Sequence, residues 1–187
     1  MRKFLGSLLE VVEIVAVAVI AVWGVRTFLV QPFLVSGESM VPTFQNGDYL
    51  LIDELTYRFR AAERGEVIVF RYPEDDTTYF IKRVIGLPGE RVKIEDGAVT
   101  IYNAMNREGF RLTEDYLALG AKTDGMIDLQ LGADEYYMLG DNRPYSFDSR
   151  RWGALPEEDI VGRVLVRLWP ASQAAVIKTP DFGPEGG

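Results

Sequence analysis

The chain of 187 residues contains no cysteine and no histidine. Without cysteine there is no disulfide framework, no thiol nucleophile and no thiolate-held zinc. Without histidine there is no Ser-His-Asp triad, no imidazole metal ligand and no imidazole proton shuttle. Neither a metal nor a cofactor is expected, and no glycine-rich phosphate loop of P-loop or dinucleotide type is present. Basic residues are also scarce: 20 Lys and Arg stand against 28 Asp and Glu, a formal net charge of −8. A nucleic-acid partner is not expected, because phosphates need a basic surface. Any acid–base chemistry has to use Asp, Glu, Lys, Tyr or a chain terminus. What is present, 48% hydrophobic and 26% charged residues, is the composition of an ordinary folded protein.

The first thirty residues stand apart. Arg2 and Lys3 precede an apolar stretch from Leu5 to Val30, interrupted by Glu10, Glu13 and Arg26. Its uncharged centre, Ile14 to Val25, would span roughly 18 Å as a helix, short of a bilayer core of about 30 Å. Counted from Leu5 to Val30 it reaches roughly 39 Å, with the charges near the two interfaces. A membrane anchor over residues 1–30 is the reading adopted. A cleaved signal peptide and a soluble amphipathic or buried helix compete with it. The basic start orients an anchor with its N-terminus cytoplasmic and the rest of the chain outside.

After Pro32 the texture changes to short β-branched and aromatic runs divided by Gly, Pro and Asp. Tyr49 to Ile52, Glu66 to Tyr72, Thr77 to Ile85, Arg91 to Ile94, Ala98 to Tyr102, Tyr136 to Leu139 and Val161 to Trp169 read as strands. Asp96–Gly97 marks a hairpin. The expected fold is an all-β, mostly antiparallel barrel or sandwich over residues 31–170. A turn is expected near Thr56 to Glu63, the stretch from Asn103 to Leu131 shows no period, and residues 171–187 read as a disordered tail.

A hydroxyl nucleophile here needs a lysine base, and lysine serves only if its surroundings lower a pKa of about 10.4. The lysines are Lys3, Lys82, Lys93, Lys122 and Lys178. Lys82 is the unusual one. Period-2 alternation puts it on an apolar strand face with Phe80 and Val84. The plainer reading is a packed stem with a snorkelling amine. Ser39 follows Ser36–Gly37–Glu38, where Gly37 permits positive φ and Pro42 fixes the turn beyond. Such a loop can present a hydroxyl and a backbone N–H at one point, although Ser-Gly-x-Ser is also common turn sequence. A third cluster, Gly140 to Gly153, is dense in Asp, Arg, Ser and Asn. Taken plainly it is a polar loop stapled by an Asp148–Arg150 or Asp148–Arg83 ion pair.

Together these pieces resemble the type I signal peptidase family. The carrying segments are Ser39–Met40–Val41–Pro42–Thr43, Gly47 to Ile52, Lys82 to Gly89, and Gly140–Asp141–Asn142–Arg143 through Asp148–Ser149–Arg150, in the family's order behind an apolar N-terminal segment. The resemblance covers roughly residues 28 to 170. It implies a membrane-bound serine endopeptidase that removes signal peptides from exported preproteins, held in the bacterial cytoplasmic membrane beside the lipid bilayer. It implies Ser39 as nucleophile and Lys82 as general base. By the same resemblance Ser146 hydrogen-bonds the lysine amine, Asp148 and Arg150 support the site, and Arg83 follows the base. Gly37 stands where some members carry an oxyanion-hole serine, leaving the Ser39 backbone N–H as donor and Ser36 as a side-chain candidate. Pro144–Tyr145 replaces a polar pair. The expected walls of an extended substrate site are Phe33, Val35, Met40, Phe44, Phe80 and Ile81, each of which could equally be core. Two other functions fit parts of the pattern. A self-cleaving Ser-Lys repressor-type protease would need a DNA-binding N-terminal domain, where this chain has an apolar segment. The other is a non-catalytic, anchored β-domain that binds a partner.

Overall fold

The computed structural model describes residues 10–19, 30–180 and 182. Residues 10–19 form a helix with every side chain exposed, its valines and Ile14 included. Among the described residues no helix is long and apolar enough to cross a membrane. The expected anchor over residues 1–30 falls largely outside the described residues.

The rest is antiparallel β-structure, as the all-β expectation required. Twelve strands are described: β1 Val30–Leu34, β2 Tyr49–Asp53, β3 Val67–Tyr72, β4 Asp75–Gly86, β5 Arg91–Glu95, β6 Ala98–Tyr102, β7 Phe110–Arg111, β8 Ile127–Gln130, β9 Glu135–Leu139, β10 Leu155–Pro156, β11 Ile160–Trp169 and β12 Ala175–Val176. The large sheet runs β1-β2-β11-β3-β4-β9-β10, with β12 beside β11. A small sheet runs β7-β6-β5-β8. The late strand β11 therefore lies between β2 and β3, both of which precede it by more than eighty residues in the chain.

The Asp96–Gly97 hairpin forms as its sequence predicts. Both residues take positive φ, 52° and 78°, which matches the right-handed twist of β5 and β6. Pro32 sits inside β1, the edge strand of the large sheet, where a missing N–H costs no ladder bond. In β4 the alternation holds: Phe80 and Val84 join one core cluster, while Ile81 packs on another. The inner half of β4 is nonetheless buried on both faces, because the sheets curl around it.

The tail departs from expectation. Ala175–Val176 pairs with β11, and Phe182 packs edge-on to Tyr116 with ring centroids 6.1 Å apart. The physical reason is apolar content: Ile177 and Phe182 both find core clusters to join.

Gly162 marks an irregularity in β11 where the register against β3 shifts. A Cβ there would lie 2.5 Å from the Asp53 carbonyl oxygen, a backbone atom that cannot swing away. Gly162→Ala is expected to destabilise the domain by about 1–3 kcal/mol through overpacking. The check is a lower urea midpoint at unchanged slope.

Candidate active site

The loop between β1 and β2 is closed at its base by Val35 N–H to the Asp48 carbonyl and Gly47 N–H to the Val35 carbonyl, both 2.9 Å. Gly37 has φ 96°, and its N–H donates to Asn46 Oδ1 at 2.9 Å. Met40 and Phe44 are fully buried and peg the loop into the core. Between these fixed points Ser39 opens onto a cleft of about 320 Å³.

Lys82 reaches the same cleft from β4. Its Nζ lies 2.8 Å from Ser39 Oγ and 2.9 Å from the Ile81 carbonyl oxygen. The residue is 3% exposed, and Nζ sits 5.2 Å from the centre of the Phe80 ring. Burial pushes the Lys82 pKa down to about 8, while Asp148 and Asp141 pull in the opposite direction. A substantial fraction of the amine is then neutral near pH 8, and a neutral amine can accept the Ser39 hydroxyl proton. The Ser39 N–H has no acceptor among the described residues, so it is free to serve an incoming oxygen.

Beneath the pair lies a buried set of charges. Arg83 donates to Asp141 from Nε at 2.8 Å and from Nη2 at 2.6 Å, a bidentate pair with both side chains buried. Thr43, four residues after Ser39, donates its hydroxyl to Asp141 and accepts from Arg83. Asp148 is gripped by Arg150 through Nε and Nη2, each at 2.8 Å, and accepts the Gly140 N–H at 3.1 Å. It also caps the short helix Ser149–Trp152, whose Ser149 Oγ accepts the Met138 N–H. The Asn142 N–H donates to the Ser39 carbonyl at 2.9 Å.

The structure brings most of the expected residues together and corrects three expectations. Of the two ion pairs considered, Asp148–Arg150 forms, while Arg83 turns instead to Asp141. Ser146 Oγ does not bond the lysine amine. It is buried without a partner, packed over Gly140 close to the Ser39 backbone. Met40 and Phe44 hold the loop from below and do not line the cleft, whereas Phe33, Val35, Phe80 and Ile81 do. Ser36 lines it too and accepts no hydrogen bond. Sequence reasoning missed Leu34, Leu50, Val69, Tyr79, Tyr145 and Phe147 on the walls. It also missed Asp141 and Arg143 as the buried partners in the charge set. Both stood inside the quoted cluster, but nothing in a loop's spacing says which carboxylate meets which guanidinium.

Known proteins similar to this chain fall in one family. A family described as signal peptidase, peptidase S26, matches residues 8–169. A probable signal peptidase I-2 of Synechocystis sp. is 37% identical over 175 residues, covering 90% of this chain and 77% of its own. A signal peptidase I of Leptolyngbya laminosa is 35% identical over 187 residues, covering 94% and 86%. A signal peptidase IB of Staphylococcus aureus is 32% identical over 190 residues, covering 96% of each chain.

Gly140 is the point where the two loops meet. A Cβ there would lie 2.5 Å from the Ser39 carbonyl oxygen and would collide with Ser146 Oγ. Gly140→Ala is expected to displace Ser39 from Lys82, lowering turnover by about 100-fold or more, as angstrom-scale misplacement does. Near-UV circular dichroism and a cleavage assay on the same sample separate this from unfolding.

Proposed function

The chain belongs to the signal peptidase family, peptidase S26, and we propose that Ser39 and Lys82 are the nucleophile and the general base with which it works. It is a serine endopeptidase that removes signal peptides from preproteins. The observation that carries the assignment is the 2.8 Å approach of a buried lysine amine to a serine hydroxyl at the floor of an apolar cleft.

In the proposed reaction neutral Lys82 takes the Ser39 hydroxyl proton as Oγ attacks the scissile carbonyl. The Ser39 N–H stabilises the oxyanion, and Ser36 stands on the same wall as a second donor. The Lys82 ammonium then protonates the leaving amine as the peptide bond breaks, leaving an acyl-enzyme. The neutral amine next activates a water that releases the acid and frees Ser39. Asp148, Arg150 and Arg83 keep the loops in register. The unpaired Ser146 hydroxyl becomes a partner for the amine once Ser39 has turned to the substrate. Phe33, Val35, Phe80 and Ile81 wall an extended substrate, and steric closure of that slot favours small side chains.

The chain works at the bacterial cytoplasmic membrane, N-terminus cytoplasmic and catalytic domain outside. Arg2 and Lys3 at the start, and the exposed apolar helix over residues 10–19, support this. The full chain is expected to stay with membranes after an alkaline carbonate wash, and release into the supernatant would refute the anchor.

Ser39→Ala and Lys82→Ala are each expected to abolish cleavage of a signal-bearing preprotein, with Ser146→Ala weakening it. Mass spectrometry of the products gives both rate and cut site. Because the neutral amine is the active form, the rate is expected to climb as pH rises through about 8 and then level. A flat profile from about pH 6 to 10 with chemistry limiting would remove Lys82 as the base. The same depression has a stability consequence. Between about 8 and the usual 10.5 the unfolded chain holds a proton that the folded chain lacks, so resistance to urea is expected to rise with pH across that window.

A further inference from the structure

Arg143 carries a full charge into the interior, with its side chain 0% exposed. Its partners come from the stretch between Asn103 and Leu131 that shows no sequence period. Both terminal nitrogens donate to the Glu114 carboxylate, one of them to Oε2 at 3.0 Å. Thr123 Oγ1 and the Tyr116 hydroxyl, at 3.1 Å, accept from the same head group. The Tyr116 hydroxyl in turn donates to Glu114 at 2.7 Å. What remains of the guanidinium, Nε, donates to the Gly140 carbonyl at 3.1 Å. Glu114 thus aims an arginine at the residue against which the Ser39 carbonyl and Ser146 are packed. The Tyr116 ring adds a second link: the Arg83 guanidinium lies 4.1 Å over its centre, and Arg83 is the neighbour of Lys82 in β4.

We propose that Glu114 is a positioning residue for the Ser39–Lys82 pair, acting through Arg143 on the Gly140 carbonyl and through Tyr116 on Arg83. This rests on the reading of Ser39 and Lys82 as the reacting groups. A buried arginine stripped of its carboxylate keeps its charge and seeks another. Asp141, whose charge Arg143 already feels, is occupied by Arg83 and Thr43. Losing Glu114 therefore loosens the floor of the site and not its walls. Asp148 and Asp141 act on the amine's charge; Arg83 and Arg150 pair with those carboxylates and Arg143 feels Asp141; Tyr116 and Tyr137 lie beside these charges; and Glu38, Tyr79 and Tyr145 line the cleft with the amine. Glu114 completes three carboxylates against three guanidiniums, those of Arg83 and Arg143 buried and that of Arg150 partly so, and its removal leaves one positive charge uncompensated.

The test uses the full chain in detergent with a signal-bearing preprotein, comparing wild type, Ser39→Ala, Glu114→Gln and the double variant Glu114→Gln/Arg143→Gln. Cleavage by wild type and none by Ser39→Ala secures the underlying reading independently of Glu114. Glu114→Gln is expected to lower kcat by about tenfold or more while KM moves by less than about twofold. The midpoint of its kcat–pH profile is expected to move down, because the extra positive charge disfavours the ammonium at Lys82. The double variant is expected to keep a low kcat but return the midpoint to the wild-type position, since both charges are gone. Folded Glu114→Gln with wild-type kcat and an unmoved midpoint overturns the proposal. So does a folded double variant with wild-type kcat. If neither variant folds, Glu114 serves the scaffold alone and the proposal fails.

Discussion

The site depends on one costly placement: an amine held out of water against an alcohol. Holding a lysine pKa near 8 instead of 10.5 costs about 3 kcal/mol of the ammonium's hydration, at 1.36 kcal/mol per unit. β4 alone does not supply that. It comes from the sheets curling around the inner half of the strand, from Phe80 beside the amine, and from a serine loop pegged over it by Met40 and Phe44. A Lys82 left at the surface would be an ordinary cation and no base.

Desolvation brings a second difficulty, because carboxylates nearby would recharge the lysine. Asp141 and Asp148 both stand close enough to do so. The fold answers with arginines that occupy those carboxylates first: Arg83 on Asp141, Arg150 on Asp148. The first pair is buried and the second partly so, and each also grips backbone, Arg83 at the Gly65 carbonyl and Arg150 at the Arg143 carbonyl. The arginines thus do electrostatic and structural duty together.

Much of this was legible before the fold was known. The hairpin at Asp96–Gly97, the strands around Tyr49 and Phe80, and the alternation that lifts Lys82 out of the other lysines are all local signals with a local cause. β1 was hidden because Pro32 and its place at the end of a long, mostly apolar stretch disguise an edge strand. β7, β10 and β12 are two residues long, too short for any period. The expected Ser146–Lys82 hydrogen bond is missing for a different reason. Whether its hydroxyl meets the amine depends on angstroms between two loops, and sequence spacing carries no such resolution. Met40 and Phe44 show the same limit from the other side, since an apolar residue next to a nucleophile can equally line a cleft or anchor its floor.

The position of β11 carries a further meaning. The nucleophile's loop belongs to the β1–β2 pair and the base belongs to the β3–β4 pair; in the backbone ladder β11 lies between the two pairs, while side chains meet across it. Without that strand the two reactive groups would keep their side-chain contacts and lose the backbone ladder that spaces their hairpins. A strand that follows both reactive groups by about eighty residues or more thereby sets the backbone spacing between them.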